Sequence, residues 1–260
     1  MDDLFLRLLS QRLCDGPSHG FITQGKFMTD TIPLQIDIVS DVVCPWCIIG
    51  YKNLEEAVAR LDEQVDITVR WHPYELNPNM APEGQDLSEH ITEKYGLTPD
   101  QSTDNRDRIT MMSENVGFPI HFSSDSRIYN TFDAHRLLYW AGKEGKSGQQ
   151  TALTMALFTA YFQDAENPGD HGVLNRAVEE VGLSPERAAE ILASDEFAKE
   201  VRAEEEEFGN AGISSVPTYV VNGKFAISGG HPPEVFEQAL SEIARQGDEI
   251  LADAEADENV

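Results

Sequence analysis

The stretch Leu34–Tyr51, LQIDIVSDVVCPWCIIGY, decides how the chain is read. Leu34, Ile36 and Ile38 alternate with Gln35 and Asp37, the period of a strand with one apolar face, and Val39 extends it. After Cys47 the period changes. Ile48, Tyr51, Leu54, Val58 and Leu61 recur at the three- and four-residue spacing that one face of a helix requires. The pair Cys44 and Cys47, with Pro45 and Trp46 between them, therefore stands where a strand turns into a helix. Ile67, Val69 and Trp71 alternate with Thr68 and Arg70 over Asp66 to His72, and this second strand closes a β-α-β unit whose strands are predicted to be parallel.

Outward from this unit the pattern becomes helical between about Asp86 and Asn210. Thr98-Pro99-Asp100-Gln101 offers an N-cap, a proline at the first helical position and a capping-box Gln, and Ser184-Pro185-Glu186 opens another helix. Tyr139, Trp140, Leu153, Leu157, Phe158 and Phe162 supply apolar surface for a small core within the block. The run Glu204 to Glu207 reads as a solvated helix face. Strands return at Thr218–Val221 and Lys224–Ser228, flanking Asn222-Gly223, the pair that best specifies a two-residue type I′ hairpin. Pro232-Pro233 then opens a final helix through Leu240, and the acidic, apolar-poor residues beyond about Gln246 are expected to fray. The resulting division is an arm over 1–31, a discontinuous α/β domain over 32–85 and 211–246, an all-helical insertion over 86–210 and an acidic tail over 247–260.

Bulk properties narrow the function classes. The chain has 260 residues, 19 Lys+Arg against 46 Asp+Glu, and a formal charge of -27. Such a surface repels phosphate backbones and anionic lipid, so neither nucleic acid nor membrane is an expected partner. No apolar run is long enough to span a bilayer. The opening Met1-Asp2-Asp3 and the interruptions at Arg7, Gln11 and Arg12 do not read as an export signal, and the expected compartment is the cytoplasm. Cys14 lies in the arm, which has little strand pattern and ends near Met28, a possible alternative start. Three cysteines exclude a structural disulfide framework.

The chemistry centres on Cys44 and Cys47. Only a thiolate attacks a disulfide, and a helix N-terminus aims unpaired backbone N–H groups and the positive end of the helix dipole at a sulfur placed there. Cys44 is thus the candidate nucleophile. Cys47, about one helical turn on and more enclosed, is the candidate resolving group that attacks the mixed disulfide. The competing use of a Cys-x-x-Cys pair is half of a zinc site; no second pair exists, and His72 leaves such a site a ligand short. Pro45 and Trp46 tune the balance between dithiol and disulfide. Val216-Pro217, far along the chain, reads as a strand-start proline. Asp41 reads as a turn or capping carboxylate rather than a proton relay, His135 as a packed helix residue rather than a base, and Asn130 as a helix cap.

Taken together, Ile38 to Asp41 running into Cys44-Pro45-Trp46-Cys47, WHPYELNP from Trp71 to Pro78, NTFDAHRLL from Asn130 to Leu138, and GISSVPTYVVNGKFAISGGHPP from Gly212 to Pro233 resemble the FrnE-like branch of the DsbA family, from Leu34 to Leu240. The resemblance implies a thioredoxin-like fold (β-α-β … β-β-α) interrupted by an all-helical insertion. It also implies a redox-active pair at Cys44 and Cys47, and a cis peptide before Pro217 that faces the cysteines, with Val216 offering its backbone to the bound thiol. The implied activity is thiol-disulfide exchange on protein or small-molecule thiols, with no resident cofactor or metal, glutathione as a possible co-substrate, and a possible homodimer. The alternative within the superfamily is a glutathione-dependent isomerase of small aromatic or polyketide-like substrates, resembling 2-hydroxychromene-2-carboxylate isomerase and kappa-type transferases. Those proteins generally carry a serine at the position of Cys44 and lack Cys47.

Overall fold

The structure, a computed structural model, describes residues 31–61 and 65–258, with 247–258 described as backbone only. The arm and Cys14 lie outside the described residues. Strand β1 (Ile32–Ser40) leads into helix α1 (Pro45–Arg60) and then strand β2 (Val65–Pro73). β1 and β2 pair in parallel from Ile32 opposite Val65 to Ser40 opposite Pro73, as the β-α-β reading requires. Late in the chain β5 (Thr218–Val221) and β6 (Phe225–Ser228) form an antiparallel hairpin whose first strand pairs with β1, giving the sheet order β2-β1-β5-β6. Asn222 and Gly223 both have positive φ, 51° and 64°, the type I′ geometry that only such residues adopt without strain. The turn is also tied to the sheet, because the Gln35 amide donates to Asn222 Oδ1 at 2.9 Å and the Asn222 amide donates to the Gln35 carbonyl at 2.8 Å.

Between the two halves of this sheet lie β3 (Gln85–Asp86), α2 (Leu87–Tyr95), α3 (Pro99–Asn115), β4 (Arg127–Ile128), α4 (Phe132–Glu144), α5 (Gln149–Phe162), α6 (His171–Glu180), α7 (Pro185–Leu192) and α8 (Ala198–Asn210). The expected caps are present: Thr98 and Gln101 close a reciprocal capping box, and Ser184 accepts from the Arg187 amide. β3 and β4 add a two-residue antiparallel ladder to the block, a feature too short to leave a sequence signal.

Two apolar cores result. In the first, Leu34, Ile36 and Ile38 of β1 pack with Ile48 and Leu54 of α1, Tyr219 of β5, and Phe236 and Leu240 of the closing helix α9 (Pro233–Glu258). The second gathers Leu137 and Trp140 of α4, Leu153 and Leu157 of α5, Leu174 of α6 and Ile191 of α7. Phe158 and Phe162, expected in the core of the helical block, belong to the first cluster, and Val42 and Val43 from the loop before Cys44 belong to the second. The cysteine loop is therefore clamped between the cores. Two other expectations change. α9 runs to Glu258 rather than fraying beyond Gln246, and three Ala and three Glu among residues 247–258 are strong helix formers. The Glu204–Glu207 run is only half solvated: Glu204 Oε2 lies 3.0 Å from His72 Nδ1, and Glu205 accepts from the Glu75 amide at 3.2 Å.

Candidate active site

Cys44 is the N-cap of α1, with φ -92° and ψ 113°, and Pro45 occupies the first turn, where the N–H it lacks would have had no helical partner. The turn leading to it is fixed by the Cys44 amide donating to the Asp41 carbonyl at 3.0 Å. Both cysteines are free thiols and both are buried, Cys44 at 4% exposure and Cys47 at 0%. Cys47 is the more enclosed of the two, as expected, but Cys44 at the helix end is itself buried. The Cys44 sulfur is covered by the far strand, and lies 3.9 Å from the Val216 carbonyl oxygen. The Val216-Pro217 bond is cis and leads directly into β5. The strand-start proline thus follows a cis bond, as the resemblance implied, and the residue before it covers the Cys44 sulfur.

The close approach depends on two glycines. A Cβ on Gly50, one turn past Cys47, would fall 2.3 Å from Tyr219 Oη and 2.9 Å from Gly230 Cα, and one on Gly230 would fall 3.0 Å from the Trp46 carbonyl oxygen. Helix α1 and the Pro217 strand could not meet at this distance with side chains between them. Trp46 itself is half-buried, and the Arg108 guanidinium from α3 lies over its ring, 5.5 Å from the centroid.

Electrostatics separate the cysteines further. Complete burial pushes the Cys47 thiol well above its ordinary range, and the neighbouring Cys44 adds to it; Ser40 and the Asp41 backbone work against that rise. Asp41 has a larger role than the turn carboxylate read from sequence. Fully buried, it accepts from the Leu76 amide at 2.7 Å and the Val43 amide at 3.4 Å, and its Oδ1 lies 3.6 Å from His135 Nε2. Burial opposes charge on His135, but Asp41, Glu75 and Glu205 outweigh it and raise the ring's pKa. Asn130 Oδ1 accepts from the Phe132 amide at the start of α4, the capping role expected, while Nδ2 reaches Glu75 Oε1 and the Pro78 carbonyl, each at 3.2 Å. His72 has both ring nitrogens engaged, by Asp37 at 2.9 Å and Glu204 at 3.0 Å, which removes the third ligand that a zinc reading would enlist. Sequence patterns missed the His72–Asp37–Glu204 and Asp41–His135 groupings, because each joins residues from separate elements.

The profile of the DSBA-like thioredoxin domain matches residues 35–241. The uncharacterized protein YwbO of Bacillus subtilis is 30% identical over 210 residues, covering 80% of this chain and 96% of that protein. The crystal structure of a probable DsbA oxidoreductase from Streptomyces coelicolor superposes with a TM-score of 0.73 at 31% identity, covering 80% of this chain and 89% of that one. Cytosolic disulfide reductase DsbM from Pseudomonas aeruginosa, solved with GSH, shares the fold alone, with a TM-score of 0.56 at 14% identity over 81% of this chain and 99% of that one. With a profile match that spans both halves of the sheet and the helices between them, the chain belongs to the family of DSBA-like thioredoxin domains.

Proposed function

We propose that the protein exchanges dithiols and disulfides through Cys44 and Cys47, on protein or small-molecule thiols, in the cytoplasm. The observation that carries this reading is the unequal pair. One free thiol caps a helix beneath the Val216 carbonyl, and the second lies one turn on with no exposure at all. When a substrate disulfide is reduced, the Cys44 thiolate attacks one of its sulfurs, forms a mixed disulfide and expels the other half as a thiolate. Cys47 then gives up its proton and attacks the Cys44 sulfur, so that the Cys44–Cys47 bond forms and the second half of the substrate leaves. The substrate gains two electrons and the pair loses them; the reverse sequence oxidises a dithiol. The Val216 backbone stands where an extended substrate would pair beside its sulfur, and Pro45 and Trp46 set the relative stability of the two redox states.

The test is covalent trapping in cells, with Cys14→Ala in every variant. Cys47→Ala is expected to accumulate partners bound to Cys44, visible as bands that collapse on reduction after an acid quench. Cys44→Ala is expected to trap nothing. Equal trapping by both variants, or none by either, would show that the roles are wrongly assigned. Binding of glutathione by a protein with no redox turnover would favour the isomerase alternative.

A further inference from the structure

Cys47 presents a problem that dithiol–disulfide exchange leaves open. Its sulfur is sealed from solvent, yet it must take up or release a proton in every cycle. Ser40 is the last residue of β1; its hydroxyl acts on the Cys47 sulfur, favouring the thiolate, and meets no other hydrogen-bond partner among the described residues. His135 Nε2 is the second such atom, since 3.6 Å to Asp41 is too long for a direct bond. Two orphaned polar atoms this deeply buried, on residues at 4% and 3% exposure, are unusual in a folded interior. Both residues line the same small cavity, walled by Val42, Trp71, Leu138 and Thr154 and partly open at His72 and Tyr139. About 10 Å³ of it admits the centre of a water-sized sphere, the room of one molecule.

We propose that this cavity holds one water between Ser40 and His135, and that hydroxyl, water and imidazole form the path by which a proton reaches or leaves the Cys47 sulfur. The inference rests on the redox reading above. When substrate is oxidised, its thiolate attacks Cys44, the Cys44–Cys47 bond breaks and the bonding pair goes to Cys47. The Ser40 hydroxyl donates its proton to that sulfur, recovers one from the water, and the water takes one from the His135 imidazolium. His135, itself buried, regains its proton through the mouth of the cavity, past the half-buried His72 and Tyr139. When Cys47 attacks as the resolving group, the same path runs backwards into the neutral ring. Asp41 is the positioning residue, orienting the ring from the loop after β1. Other charged and titratable groups around this system are His72 and Glu75 from β2 and its loop, Glu205 with Arg202 from α8, and Tyr161 of α5 on the Asp41 side. The acidic groups favour the imidazolium, the form that donates.

Stopped-flow reduction of the oxidised protein by dithiothreitol, followed by tryptophan fluorescence and expressed per attacking thiolate across the neutral and alkaline range, tests the path. In the wild type the rate is expected to fall as pH rises through the His135 titration. Ser40→Ala is expected to be slower by about 100-fold below that transition, as loss of a positioned general acid predicts, and to be flat with pH. It should alkylate at Cys44 at the wild-type rate when reduced. His135→Gln, which keeps a polar group but cannot titrate, is expected to be flat as well; should it fail to fold, the Ser40→Ala profile decides alone. A Ser40→Ala protein with the wild-type pH profile, whether slowed or not, overturns the relay and leaves the redox reading standing. A wild-type protein that is not reduced at all overturns both.

Discussion

Gly50→Ala adds one methyl group at the point where helix α1 meets the strand that covers Cys44. The new carbon would sit 2.3 Å from Tyr219 Oη, 2.9 Å from Gly230 Cα and 3.4 Å from Pro217 Cγ. The first distance is roughly 1 Å inside van der Waals contact, and the tyrosine cannot swing away, because its ring is buried and packed edge-on against Phe236 with centroids 4.8 Å apart. Overpacking of this kind costs about 1–3 kcal/mol. Alanine is the better helix former by about 1 kcal/mol, which offsets part of that loss. A clash this close puts the overpacking cost at its upper end, so the net expectation is a loss of about 2 kcal/mol in urea unfolding at unchanged m-value, a drop of roughly 4–8 °C in Tm for a domain of this size. Tyr219→Phe removes the nearer clash and a buried hydroxyl with no partner among the described residues, so alone it is expected to be neutral or stabilising by up to about 1 kcal/mol. In the Gly50→Ala background it should recover about half the loss, since the Gly230 contact remains. Gly50→Ala should also slow exchange, because displacing the Pro217 strand moves the Val216 carbonyl away from the Cys44 sulfur. An alanine variant as stable as wild type, or a loss that Tyr219→Phe does not reduce, would refute the reasoning.

Two further tests probe buried ion pairs. Burial alone would lower the His72 pKa, but Asp37 and Glu204 lift it to about 9, so the ion pair adds stability that is complete below the unfolded value near 6.5 and is lost as pH rises through 9. The difference in unfolding free energy between wild type and His72→Gln should therefore shrink by up to about 3 kcal/mol over that window; a difference independent of pH would refute the pairing. Arg136 is buried, and its guanidinium donates to the carbonyls of Glu196, Ile191 and Ser194 and to Asp133 Oδ1, joining α4 to the end of α7. Arg136→Lys cannot match that fork and should lose about 2–4 kcal/mol by chemical denaturation; a change below about 0.5 kcal/mol would mean that the carbonyl contacts contribute little.

What could be read from the sequence was local. The alternation in Leu34–Val39, the helical period after Cys47, the Asn222-Gly223 turn and the Thr98 and Ser184 caps each depend on backbone preferences within a turn or two. Each appears in the structure where the residues placed it. The cysteine pair at the strand-to-helix junction follows from the same signals. Tertiary structure decided everything that needs a partner from elsewhere. A pattern of apolar residues says that Phe158 and Phe162 are buried but not in which core, and Val42 and Val43 join the helical block only because the loop bends toward α4. Asp41 and His135 looked like a turn carboxylate and a packed helix residue, since nothing in either neighbourhood names the other. Glu204 looked solvated within an acidic run until α8 was laid across β2 and His72. Hydrophobic period and capping fix where a side chain points relative to its own backbone, whereas a charge is buried, paired or orphaned according to which elements the chain later brings against it.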